Sequence, residues 1–129
     1  MNLGKRETLL NDSSMIVTET NEKGIITFAS EDFCKIAEYS QEELVGQPHN
    51  LIRHDFMPKK AFKDLWSTVK SGNIWHGIVI NKTKDDGYYW TKALVFPSQN
   101  SDGSKKFISV RVKPSQKDID MATALYKTL

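Results

Sequence analysis

The sequence predicts an α+β domain, and three observations carry that prediction. Two strand candidates open the chain, three more stand near its end, and helical pieces fill the middle. Within each strand group the connections are short and turn-forming, which makes neighbouring strands antiparallel. Antiparallel strands with the helices gathered to one side give an α+β layer arrangement.

The totals agree with one domain. The chain has 129 residues, 39% of them apolar and 26% charged, which suits a modest core under a solvated surface. Eighteen basic and 16 acidic residues leave a formal charge of +2 with the signs interspersed. A nucleic-acid or anionic-membrane surface needs clustered Lys and Arg, so neither partner is expected. Cys34 is the single cysteine, which excludes an internal disulfide and a multi-cysteine zinc site. The first residues lack the apolar core of a signal peptide, and no apolar run approaches the ~20 residues that cross a bilayer. A soluble cytoplasmic protein with no membrane insertion is the expectation.

Residues 1–14 are read as an N-terminal cap segment, polar except for Leu9 and Leu10, either helical and docked or frayed. Met15–Thr20 and Ile25–Ala29 are rich in β-branched residues, and Asn21-Glu22-Lys23-Gly24 between them is a turn signal, so they form a hairpin. Ser30 caps a helix carrying Phe33, Ile36 and Ala37 on one face. Ser40-Gln41-Glu42-Glu43 fits a capping box that opens a second short helix bearing Leu44 and Val45, ended by Gly46. Pro48 restarts the chain in a turn or short helix.

Pro58–Ser71 is the clearest helix, with Phe62, Leu65, Trp66 and Val69 at helical offsets and Gly72 placed to stop it. Three strands follow, His76–Thr83, Tyr88–Phe96 and Lys105–Lys113, separated by Asp85-Asp86-Gly87 and Ser101-Asp102-Gly103. In the last, Ile108, Val110 and Val112 alternate with Ser109, Arg111 and Lys113, which predicts a buried apolar face and a wet polar one. Ser115 and Asp118 open a final amphipathic helix in residues 114–129, with Ile119, Ala122, Leu125, Tyr126 and Leu129 on or near one stripe.

Leu44–Asn81 is the densest collection of ionisable, aromatic and amide side chains in the chain, and a functional site is expected there. It contains Tyr39-Ser-Gln-Glu-Glu-Leu-Val-Gly-Gln-Pro-His-Asn50 in part, then Ile52-Arg53-His54, Met57-Pro58, Trp75-His76-Gly77 and Asn81-Lys82, with Tyr89-Trp90 beyond. These features, in this order, resemble a PAS domain, and most closely the subgroup found in bacterial aerotaxis receptors. The likeness runs from about Met15 to Lys113, so residues 15–113 are the expected PAS domain.

The resemblance implies a five-stranded antiparallel sheet with short helices enclosing a ligand pocket on one face. It implies FAD in that pocket, with redox state setting the output, and carries the flavin-contacting role to His49, Arg53, His54, Trp75 and Asn81. Where the subgroup reads RHPDMP, this chain reads Arg53-His54-Asp55-Phe56-Met57-Pro58, so Phe56 stands in the usual acid's place.

The residues suit such a role in different degrees. Arg53 has the guanidinium fork that pairs with phosphate oxygens, though it serves equally in a surface ion pair with Asp55. Imidazole changes charge near neutral pH, which fits His54 or His49 to a cofactor contact, while a lone histidine is commonly structural. Trp75 offers a ring for stacking, and Trp66 and His76 read as ordinary structural residues. Asn81 lies in a half-buried strand, where an amide must be satisfied and can both donate and accept. In light-sensing relatives the reactive cysteine follows the Gly-x-Pro region; Gln47–Asp55 holds none, which disfavours a photoadduct.

The expected function is a non-catalytic sensory module that binds FAD and reports cytoplasmic redox or oxygen status to a chemotaxis-type or other signalling protein. Homodimerisation through the sheet or the terminal helices is a further partner expectation. Two rivals stand beside it: a haem-binding gas sensor ligated by His54 or His49, and a ligand-free dimerisation or adaptor module. No paired carboxylates, nucleophile–base pair, phosphate loop or metal spacing points to an enzyme.

Overall fold

The computed structural model describes residues 2–129. Five strands, β1 (Ile16–Asn21), β2 (Ile26–Ala29), β3 (Trp75–Lys82), β4 (Tyr88–Gln99) and β5 (Lys105–Val112), form one sheet in the order β2-β1-β5-β4-β3. Every pairing is antiparallel. The expected α+β architecture is therefore present, including the β1–β2 hairpin and the antiparallel run β3-β4-β5. In the first turn Asn21 Oδ1 accepts from the backbone N–H groups of Lys23 and Ile25, and Gly24 takes φ +80°.

Between β2 and β3 run α1 (Glu31–Ala37), α2 (Gln41–Leu44), a 3-10 helix (His49–Ile52) and α3 (Lys59–Lys70). Ser30 caps α1, accepting from Phe33 N–H, and Ser40 and Glu43 complete the capping box of α2. Val45 falls just outside α2 in extended conformation, because Gly46 N–H turns away to bond the carbonyl of Ile26. Phe33, Ala37, Leu44 and Ile52 pack with Ile16, Ile26 and Tyr89 into one core cluster under these pieces. Leu65 and Val69 of α3 pack with Val79, Val95 and Phe107 into the other. Burying a side chain of this size is worth about 1.5–3 kcal/mol, so the two clusters hold the helices over one face of the sheet.

Three expectations need correction. Residues 2–14 contain no helix: residues 5–8 run extended alongside the start of β4, Glu7 pairing in parallel with Tyr88. Tyr88 N–H donates to Arg6 carbonyl and Thr8 N–H to Tyr88 carbonyl. The reason lies in strand length. β5 pairs with β4 only from Lys92 onward, so the edge at Tyr88 is left open and the N-terminal segment satisfies it. Met1 lies outside the described residues.

The final helix, α4 (Gln116–Tyr126), covers the opposite face of the sheet from the other helices. Ile119, Ala122 and Tyr126 meet the sheet beside Trp90, and Tyr126 Oη donates to the carbonyl of Ile78. Leu125 and Leu129, expected on the same stripe, are 55% and 50% exposed. The stripe that touches the sheet is the narrow one at i, i+3 and i+7.

The third correction concerns β5. Ser109 and Arg111 are buried, while Ile108, Val110 and Val112 are only partly so. The polar face of this strand points inward.

Gly77 shows how closely the inner face is filled, since an added Cβ there would stand 2.2 Å from the Trp75 ring. Gly77→Ala is expected to destabilise the fold by about 1–3 kcal/mol in urea denaturation, with part of the loss recovered when Trp75→Phe is added.

Candidate functional site

The inner face, the 3-10 helix and α3 enclose a cavity of about 290 Å³. Small-molecule sites start at roughly 300 Å³. A cavity of this size takes a ring-sized group, and a longer ligand must continue through the mouth.

Asn81 sets the height of the roof above the sheet. It is 2% exposed on β3, its Nδ2 donates to the carbonyl of Ile52 at 3.1 Å, and its Oδ1 accepts from Arg111 Nη1 at 3.1 Å. The backbone beside it makes an isolated antiparallel bridge with Arg53. Arg53 lays its guanidinium over the Phe62 ring, 3.9 Å from the centroid, and its buried Nε has no partner. Asp55 is exposed and, among the described residues, makes no ion pair with it.

His49 stands at the opposite wall with Nε2 3.3 Å from Thr18 Oγ1, and its ring lies parallel to Phe33 at 6.4 Å. Burial, reinforced by the neighbouring Arg111 and Arg53 charges, pushes its pKa down from 6.5 to about 3. It is therefore neutral near pH 7.

Three of the five expected site residues, His49, Arg53 and Asn81, thus line one cavity. His54 and Trp75 do not. His54 Nδ1 accepts from Phe56 N–H at 3.0 Å, which leaves Nε2 as the donor to the carbonyl of Leu3, and its ring meets Tyr88 edge-on. It fastens the N-terminal segment to the loop before α3. Trp75 donates from Nε1 to Asp64 Oδ2 at 2.9 Å and lies flat over Gly77. It braces α3 against β3.

Several cavity residues were not singled out from the sequence. Trp66, assigned to plain packing, lines the cavity and meets Phe107 edge-on at 5.5 Å. Arg111 and Ser109 are on the floor, reached by the inverted face of β5, and the signal that reveals them is the interruption of that strand by two polar inward positions. Phe56, where the motif departs from its subgroup, points away from the cavity and packs near Trp90 and Tyr126 at 6.3 and 6.4 Å. Cys34, on α1, is half-buried and outside the cavity lining.

A small antiparallel sheet whose helices roof a partly polar cavity on one face is the build of a ligand-sensing module. The PAS domain family profile matches residues 12–112. The chain belongs to the PAS domain family, and it is of the aerotaxis-receptor kind: it is 36% identical over 125 residues to the aerotaxis receptor of Escherichia coli, a match covering 97% of this chain and 25% of that protein.

A nitrogen fixation regulatory protein of Klebsiella pneumoniae is 25% identical, over 95% of this chain and 24% of its own length. The chain thus spans about a quarter of these curated relatives. Among solved structures, the light state of the blue-light photoreceptor Aureochrome1 LOV superposes with a TM-score of 0.71 at 16% identity, over 90% of this chain and 92% of that one. A light-oxygen-voltage domain described under "Flavin Analogue Sheds Light on Light-Oxygen-Voltage Domain Mechanism" gives 0.69 at 19% identity, over 88% and 84%. At these identities the likeness is one of fold. No helix among the described residues is long and apolar enough to cross a membrane.

The depressed His49 has a pH consequence. Its folded value lies below its unfolded one, so the stability of the neutral form is complete above about 6.5 and is lost as pH falls toward about 3. Urea denaturation of wild type and His49→Gln should therefore differ in pH response, the wild type losing about 1–2 kcal/mol more between pH 7 and pH 5.

Proposed function

We propose that this PAS domain is a non-catalytic sensor whose inner cavity holds a flavin, FAD in the first instance, and that it reports cytoplasmic redox or oxygen status to a chemotaxis-type signalling partner. The observation that carries this reading is the convergence of His49, Arg53 and Asn81 on one cavity roofed by Phe62 and Trp66. Phe62, Leu65, Trp66, Val95 and Phe107 give the cavity an apolar, partly aromatic side for a flavin ring, and the polar residues opposite give it donors and acceptors for the ring's edge. The cavity residues fit such a group on a second count: Arg53 Nε, Ser109 Oγ and Arg111 Nε, all on lining residues, are buried without hydrogen-bond partners. Buried polar atoms are normally paired, so three unpaired ones around this cavity support a polar ligand there.

A bound flavin supplies the redox chemistry, and the protein supplies binding, orientation and electrostatics. Asn81 presents an amide that is already engaged at both ends, to Ile52 and to Arg111. A ligand group that competes for either end changes the tie between sheet and 3-10 helix. The adjacent residues of β3 face the other way, where Ile78 carbonyl takes the hydroxyl of Tyr126. A change at Asn81 therefore reaches α4 through one strand, and a two-state shift of α4 is the output we assign. The motif's departing residue, Phe56, lies by Tyr126 and outside the cavity lining, which is compatible with a flavin in the cavity.

An absorbance spectrum of the purified chain tests the reading. The paired near-ultraviolet and blue bands of an oxidised flavin, on the native protein or after reconstitution, are expected. Arg53→Ala should weaken uptake by roughly tenfold or more, since a hydrogen bond to a charged group is worth about 1.5–3 kcal/mol. A Soret band points instead to haem, and a colourless protein that takes up neither cofactor returns the domain to an adaptor role.

A further inference from the structure

Arg111 is the most costly residue in the cavity wall, and nothing in the fold accounts for it. It sits on β5, 5% exposed, paired across the sheet with Ile16 and Ala93. Among the described residues it has no carboxylate partner. Its one side-chain hydrogen bond goes to a neutral amide, Asn81, and its buried Nε has none. A guanidinium carries five N–H donors and no acceptor, and an uncompensated buried cation costs several kcal/mol.

The surroundings make the imbalance larger. Arg53 adds a second guanidinium to the same cavity, while His49 opposite is neutral. The one carboxylate on the wall, among the described residues, is Glu22, which is exposed at the mouth. The cavity also has direction. Along β5 the inward residues run Arg111, Ser109, Phe107, and Phe107 pairs with Thr20 near the β1–β2 turn that carries Glu22 and Lys23. Exposed Lys23 and Lys70 flank that open end, whereas Arg111 and Asn81 close the other.

We propose that Arg111 is the specificity-determining anchor of this cavity: at its closed end it takes an electron-rich carbonyl edge of the ligand's ring system, the imide edge in the case of a flavin. The ligand's phosphates then lie toward the mouth, within the field of Lys23 and Lys70. This rests on the flavin reading above and adds the orientation of the ring and the residue that selects it. Arg111 is also the reason the cavity is polar on its sheet side: the strand gives up an apolar position to place a cation where the ligand's acceptors arrive.

The test compares three probes, FAD, riboflavin and ADP, on wild type, Arg111→Gln and the double variant Lys23→Ala/Lys70→Ala, by titration calorimetry or fluorescence quenching. Gln removes the charge and keeps amide N–H donors on the Asn81 side, on a shorter side chain. Arg111→Gln should weaken FAD and riboflavin alike, by roughly tenfold or more, because both carry the ring edge. The lysine variant should weaken FAD and spare riboflavin, which has no phosphate.

Ligand-free Arg111→Gln should melt at or above the wild-type temperature, since the buried cation is gone. The proposal is overturned if Arg111→Gln binds both flavins as wild type does, if it loses FAD and ADP but keeps riboflavin, or if its ligand-free form melts several degrees lower. The last result would make Arg111 a structural prop. Wild type binding none of the flavins is a different failure, that of the flavin reading itself, and it removes the proposal with it.

Discussion

The two hydrogen bonds of the Asn81 side chain are the constraint on which the rest of this structure depends. One end of the amide holds the carbonyl of Ile52 and the other holds Arg111. The first bond ties the 3-10 helix to β3, so the cavity roof stands at a fixed height above the sheet. The second orients the guanidinium on the cavity floor. Each of these groups is buried, and leaving any one unpaired costs about 1–3 kcal/mol, so the amide stabilises both the wall and the floor at once. Around it the fold divides cleanly. Apolar clusters on both sides of the cavity carry the stability, and the cavity between them carries polarity that the folded chain does not itself satisfy.

Much of this was legible in the sequence because the signals are local. Asn21 and Gly24 make the first turn, Ser30, Ser40 and Ser115 cap their helices, and Gly72 with φ +92° ends α3. What was not legible depends on partners far away in the chain. Strand β5 alternates Ile-Ser-Val-Arg-Val, and binary patterning reads the apolar set as the buried one. The structure inverts that reading, because the inner face of the sheet is the floor of a polar cavity and its outer face is only half covered, by α4 and the N-terminal segment. A ligand site is where such a rule is expected to break.

The other departures have the same cause. The N-terminal segment is extended because four residues of β4 outrun β5, a length difference visible only once both strands are paired. His54 and Trp75 share the sequence neighbourhood of the site but not its cavity, since one is spent on Leu3 and Phe56 and the other on Asp64 and Gly77. Trp66 and Arg111 belong to the cavity from helix and strand positions that read as packing and as surface. Two of the cavity's polar residues therefore came from motif, His49 and Arg53, one from strand chemistry and motif together, Asn81, and the rest from topology.

The three tryptophans distinguish a ligand in the inner-face cavity from one on the half-covered outer face. They report separate places: Trp66 lines the cavity, Trp75 braces α3, and Trp90 lies under α4 on the outer face. The measurement is a nitrogen-15 NMR titration of the chain with FAD, following the three indole N–H signals and the side-chain amide of Asn81. With FAD in the inner cavity, Trp66 and Asn81 shift at the lowest FAD additions and Trp90 responds less. Shifts that begin at Trp90 while Trp66 and Asn81 stay in place would put the ligand on the outer face instead.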